Sequence, residues 1–367
     1  MPSTLVILNL ADIAAALPLK QRPELAHGEL QVLVFDPALV DRAVDAGLGP
    51  VECLSWDEAP LYRQLNDSAH ASARALERSL DAQLPGLWDT AVRPLPLHLE
   101  LGSWQHLSLF YLHMALQWYS GLFEALVPRL RGRKLLVSWC DNPQALYFPS
   151  FVPATLLIRQ AQLAGVEFQA FTYNNQPPMR QVVPDLRRAQ APGLNEFVLT
   201  HLPTCLYDGT HLQAELQATG LQVVNLKAKF WDIALQADRT IATVPVDEAL
   251  ASLDEAERQL VERVAQGLTA PLDRHLSRWL AAPQFRARQV QQIAELYRAQ
   301  LVTFLLLQRH FAPAAPSRLL LSDHDTDFHG PLTAYARSQQ IPIVVLPHSK
   351  TSTDLDFPAR HVTLLYH

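Results

Sequence analysis

Glycine is scarce in this chain, with 13 in 367 residues, and none is arranged as GxGxxG behind the first apolar run or as GxxxxGK[ST] anywhere. GxSxG and HExxH are missing as well. These gaps argue against dinucleotide dehydrogenases, P-loop NTPases, α/β-hydrolases and zincins, whose chemistry needs those residues at those spacings. Cysteine is scarcer still. Cys53, Cys140 and Cys205 are far apart, odd in number and form no CxxC or Cys/His metal spacing, so a reducing compartment fits best. Cys140 has no activating partner nearby in sequence, which gives no reason to make it a nucleophile.

Long apolar runs are also lacking, and none approaches the roughly 18 to 20 residues a membrane span needs. The opening MPSTLVILNLADIAAALPLK has no basic segment before its apolar part and reads as a strand and a helix rather than a signal peptide. The expectation is a cytoplasmic protein without a transmembrane span, with peripheral association at the inner face of the membrane left to its amphipathic helices. A formal charge of −6 carries no basic footprint for nucleic acid. The cations of PRLRGRK (Pro128 to Lys134) fit a solvated turn between a helix and a strand.

What is present is a globular balance, 49% hydrophobic and 18% charged, over a length suited to two cores. Short apolar runs alternate with helical spacing. Leu5 to Leu8 and Leu30 to Phe35 read as strands around the helical ADIAAALPLK, and Val51 to Trp56 as a third strand. Helical spacing runs from Asp57 to Leu84 and from Trp104 to Leu130. Lys134 to Trp139 and Val166 to Phe171 read as strands around a helix at Pro153 to Ala164. The Pro-rich stretch from Thr172 to Gly193 is the best linker.

Beyond it the order restarts. Phe197 to Leu202 reads as a strand, Gly209 to Ala218 as a helix capped by Asp208 and stopped by Gly220, and Leu221 to Leu226 as a strand. Helical sequence follows over Val246 to Leu280, with Asp247 or Ser252 as caps, and over Arg286 to Phe311. The expected architecture is α/β, with two tandem Rossmann-like, doubly wound, mostly parallel units carrying long helical insertions. They occupy residues 1–176 and 196–367, joined by a linker at 177–195.

The two halves run parallel in one phrase. Lys134-Leu-Leu-Val-Ser-Trp-Cys-Asp141 stands in the first where Arg318-Leu-Leu-Leu-Ser-Asp-His-Asp325 stands in the second. Each follows a long helix and a polar turn, and each precedes a helix and another apolar strand.

Ligands of open α/β sheets sit beyond the carboxyl ends of the strands, so the loops after these phrases hold the candidates. SDHDTDFHG gathers Asp323, His324, Asp325, Asp327 and His329 within seven residues. Three readings fit the cluster. One is a metal site, one is acid-base work on an acceptor hydroxyl by His324 or an aspartate, and one is helix capping by Asp327 or His329 with the rest solvated. His348, Ser349, Lys350 and Thr351 emerge together after the next strand, where Lys350 suits phosphate or carboxylate and the hydroxyls supply donors. In the first half, Asp141 and Asn142 hold the corresponding edge. Trp139, Tyr147, Phe148 and Phe151 are placed either to stack on a sugar or base or to fill core.

The stretch Gln340-Ile-Pro-Ile-Val-Val-Leu-Pro-His348 is similar to the "GIPxVxxxHG" phrase of bacterial surface-polysaccharide glycosyltransferases with the GT-B fold. Here Gln340 replaces the first glycine and Ser349 the last. The resemblance covers roughly residues 197 to 367. It implies two Rossmann-like domains facing a cleft, a nucleotide-sugar donor whose diphosphate the carboxyl-terminal domain holds, a glycan acceptor, and no metal or other cofactor. On that footing His324, Asp325 and Asp323 are the catalytic candidates. His329, His348, Ser349, Lys350, Asp141 and Asn142 are the substrate-binding ones. The donor motif rich in Glu and Gly does not follow HVTLLYH, so the expectation leans to an amino-terminal part of a longer enzyme. The alternative from another class is a non-catalytic glycan- or partner-binding scaffold module; a metal-dependent phosphoesterase is a third.

Overall fold

A computed structural model describes residues 2–18, 30–54, 59–96, 99–140, 151–173, 181–187, 196–202, 209–228, 235–322, 328–346 and 362–364. In chain order the elements begin β1 (Ser3–Ile7), α1 (Leu10–Ala16), β2 (Leu30–Val34), α2 (Ala38–Asp45), β3 (Val51–Cys53), α3 (Ala59–Leu87) and α4 (His106–Leu126). They continue β4 (Lys134–Cys140), α5 (Phe151–Ala164), β5 (Phe168–Tyr173), β6 (Val182–Pro184), β7 (Phe197–His201), α6 (Gly209–Ala218), β8 (Gln222–Leu226), β9 (Arg239–Ile241) and β10 (Thr243–Pro245). Last come α7 (Val246–Leu250), α8 (Glu255–Gly267), α9 (Thr269–Leu276), α10 (Pro283–His310), β11 (Arg318–Ser322), α11 (His329–Ser338), β12 (Ile343–Leu346) and β13 (Val362–Leu364). The protein is α/β, with two parallel sheets and many helices. The chain divides into two compact units. One comprises Met1–Ala75, Ser108–Met179 and Leu272–Val290, and the other Leu76–Leu107, Arg180–Pro271 and Gln291–His367.

The sheet of the first unit has the order β3-β2-β1-β4-β5 with every pairing parallel. All five residues of β1 are buried, as a strand covered on both faces must be. Leu5, Ile7, Val32, Val34 and Leu136 pack under Ile13 and Ala16 of α1 and Leu39 and Ala43 of α2. Alternation sends Leu135, Val137 and Trp139 to the opposite face.

The sheet of the second unit has the order β13-β12-β11-β7-β8-β9, again all parallel. Numbered within that sheet and read from its other edge, this is 3-2-1-4-5-6, the doubly wound Rossmann order. Val198, Val223, Leu320 and Leu346 cover one face beneath Leu212 and Leu216 of α6. On the other face Phe197 stacks on Phe311, and Phe311 meets Tyr335.

Two details depart from expectation. The cap in the 246–280 region is Asp254, not Asp247 or Ser252. Its side chain accepts from the Glu257 N–H while Glu257 reaches back to the Asp254 N–H, a reciprocal box that satisfies two orphan donors. Asp247 instead lies inside α7 and pairs with Arg298 at 3.0 Å. Within the Pro-rich stretch, Val182–Pro184 forms β6 and pairs antiparallel with β10.

Candidate functional site

The order of each sheet reverses at one place, between β1 and β4 in the first unit and between β7 and β11 in the second. Consecutive crossovers leave these points in opposite directions, opening a crevice at the carboxyl edge where ligands bind. The sequence parallel therefore has a structural counterpart, because Lys134–Cys140 and Arg318–Ser322 are the strands directly across from the first strand of their sheets. Ser138 and Ser322 hold equivalent positions near their ends, and both are buried.

In the second unit the crevice has two polar faces. Thr200 pairs in register with Asn225 and Leu320, so Ser322, two residues on, shares their face beneath α6. The Thr200 hydroxyl donates to Asn225 Oδ1 at 2.9 Å. The Ser322 hydroxyl is buried and reaches no acceptor among the described residues. On the reverse face, His201 ends β7. Its Nδ1 lies 3.0 Å from the Leu226 carbonyl, which accepts from Nδ1–H and so leaves Nε2 with the lone pair in the neutral ring. The His201 ring lies 5.1 Å from that of Phe328, which precedes α11 as an N-cap residue without a side-chain capping bond.

Of the catalytic and substrate-binding candidates in the Asp- and His-rich loops and at Asp141 and Asn142, only His329 falls among the described residues; the aromatic candidate Trp139 is described too and is buried. His329 is the first residue of α11 and half-buried, and the cap position belongs to Phe328, so it does not cap the helix. Asp323, His324, Asp325, Asp327, His348, Ser349, Lys350, Asp141 and Asn142 lie outside the described residues. Among those described, no three His, Cys, Asp or Glu side chains gather as a metal would need. No described helix is long and apolar enough to cross a membrane.

The first unit holds a cluster that sequence reasoning missed. Asn9 caps α1, and Asp12, fully buried, accepts from the Leu8 and Asn9 N–H groups at 2.9 and 3.0 Å. Tyr173, the last residue of β5, donates its hydroxyl to Asp12 Oδ1 at 2.9 Å. Burial pushes the Asp12 carboxyl above its ordinary value, while the bonds from Tyr173, Leu8, Ser138 and Asn9 pull it back. Burial, with Asp12 nearby, likewise raises the Tyr119 phenol. A carboxylate so fully engaged positions the β1–α1 turn and has little capacity left to act as a base. The signal available in sequence was Asn-x-x-Asp directly after a strand, a capping box; nothing local announces Tyr173.

No family model matches this chain, and no curated protein matches it either.

Proposed function

We propose that the protein is a glycosyltransferase of the GT-B kind, moving a sugar from a nucleotide-activated donor to a surface glycan or glycoconjugate. The observation that carries the reading is the reversal of strand order between β7 and β11. It falls at the strand that leads into Asp323, His324 and Asp325, and neighbouring β12 leads into His348, Ser349 and Lys350. Thr200, Asn225 and Ser322 make that edge polar without adding charge, and the Ser322 hydroxyl has no partner among the described residues. The amino ends of α6 and α11 belong to that edge through the β–α–β direction, and helix amino ends favour phosphate. Gln340 adds support, since it has φ +58°, the left-handed conformation that the glycine of the resembling phrase would adopt freely.

In this reading the acceptor hydroxyl oxygen attacks the anomeric carbon and the bond from that carbon to the donor phosphate breaks. The electron pair leaves with the diphosphate, and the acceptor proton passes to His324 or Asp325. Lys350 and the helix amino ends take up the charge on the leaving group.

The test is a panel of nucleotides and nucleotide sugars scored by thermal midpoint, followed by transfer assays with the best binder. A ligand bound only by the native state must raise the midpoint. The double variant His324→Ala/Asp325→Ala is expected to keep the parent midpoint and lose transfer. No shift with any nucleotide favours the scaffold module, and full transfer by the double variant removes the assigned base.

A further inference from the structure

Buried polar atoms without a hydrogen-bond partner are rare, and each calls for a physical explanation. Two in the first unit lie on elements that meet, β4 and α10. Among the described residues, Trp139 is 9% exposed and its Nε1–H meets no acceptor, and Gln289 is 3% exposed and its Oε1 meets no donor. Trp139 is the last residue but one of β4, at the carboxyl edge, and it faces away from Ser138 and hence from Asp12. Phe285 of α10 meets the Trp139 ring edge-on with centroids 5.3 Å apart. Gln289 lies four residues further along α10, on the same helical face.

We propose that Trp139 and Gln289 form a recognition site in the first unit for a neutral, hydroxyl-rich ligand of the pyranose class. One orphan is a donor and the other an acceptor, and a sugar hydroxyl is both, so one ring with adjacent hydroxyls satisfies the pair. The half-buried Phe285 ring beside the indole offers apolar surface to the C–H face of a pyranose. Neither orphan is charged, which disfavours an ionised ligand, since a buried charge needs a partner. Arg286, beside Phe285, is already held by Asp273 at 2.6 Å and by the Leu280 carbonyl at 2.9 Å. The position at a strand's carboxyl end agrees with where such sheets bind ligands. The site does not depend on the glycosyltransferase reading.

The experiment watches the donor atom itself. The 367-residue chain labelled with nitrogen-15 tryptophan has seven tryptophans and so seven indole N–H signals, and Trp139→Phe assigns one of them. Titration with methyl glucosides, methyl galactosides and N-acetylglucosamine is expected to move the Trp139 signal downfield and saturably for at least one sugar. That movement should be lost in Gln289→Met. Because Gln289→Met replaces a stranded acceptor by a group of similar volume, its ligand-free melting midpoint should equal or exceed the parent's. A Trp139 signal unmoved by every sugar, or moved by uridine alone, overturns the proposal. So does a midpoint for Gln289→Met well below the parent's, which would mean that water or protein already satisfies Oε1. A sugar that moves Trp139 while no nucleotide raises the midpoint keeps this site and removes the glycosyltransferase reading.

Discussion

Gln340 occupies, at the end of α11, the backbone position that Gly165 occupies at the end of α5. The φ values are +58° and +67°. The next residue closes the same bond in each, Ile341 N–H to the Ala336 carbonyl at 2.8 Å and Val166 N–H to the Ala161 carbonyl at 2.9 Å. Both are left-handed helix ends feeding a parallel strand, and glycine adopts that conformation without the Cβ penalty. Gln340→Gly should therefore stabilise the protein by about 1 kcal/mol, and Gly165→Ala should destabilise it by a similar amount. Urea titration of both variants checks the pair.

The strand-helix alternation was legible because buried parallel strands are short, apolar and bounded by polar turns, as in Lys134–Cys140 and Arg318–Ser322. Helix ends were less so. Asp247, Ser252 and Asp254 are all competent caps, and only the reciprocal partner Glu257 selects the last. The β6–β10 ribbon has three residues per strand and a proline in each, too short to show a period of two. The Asp12 cluster and the Trp139–Phe285 contact were illegible for another reason: Tyr173 lies 161 residues from Asp12 and reaches it through the parallel crossovers of the sheet, while Phe285 belongs to a helix that no strand of that sheet flanks in sequence.

Tyr173 ties β5 to the β1–α1 turn through one hydroxyl. Tyr173→Phe keeps the ring and removes the bond, which should cost about 1–2 kcal/mol because Asp12 is buried. Asp12→Ala strands the Leu8 and Asn9 N–H groups as well and should cost about 3 kcal/mol. Equal losses in the two variants, read by denaturant midpoint, would show that the backbone bonds contribute nothing.

Gly330 is the second residue of α11. A Cβ there would come within 2.6 Å of the Trp104 Cβ. Trp104 has little freedom to yield. Gln300 donates to its carbonyl at 3.1 Å, and Tyr297 donates to the carbonyl of Gly102, two residues earlier, at 2.8 Å. Gly330→Ala should thus destabilise the protein by about 1–3 kcal/mol. Under the proposed function it should also weaken donor binding, since Asp323 to Asp327 directly precede this helix. Nucleotide-sugar affinity measured well below the melting temperature separates that effect from unfolding.

Stability should depend on pH through two groups of opposite sign. His113 Nδ1 lies 2.7 Å from the Leu109 carbonyl, so Nδ1–H donates and Nε2 accepts. The His275 Nε2 atom, 2.7 Å away, must then carry the proton of that bond. Burial, then His113 and Arg278, bring His275 down to about 4. The unfolded chain takes up that proton first, so the contribution is full above about pH 6.5 and falls as the pH drops toward 4. Asp81 runs the other way. Burial, with Glu100 and Glu77 nearby, raises it to about 6, although the Gly102 N–H bond at 2.7 Å opposes the shift. Its contribution is full below about pH 3.8 and is lost as the pH rises through 6. Asp81→Asn keeps an acceptor for Gly102, so it should be nearly neutral at about pH 4 and stabilising by about 1–2 kcal/mol above about pH 7, after discounting for partial exposure. His275→Gln should instead lose the parent's decline between about pH 6.5 and 4. Urea midpoints from about pH 4 to about pH 8 decide both, and parallel profiles for parent and variants would remove these two groups as the source.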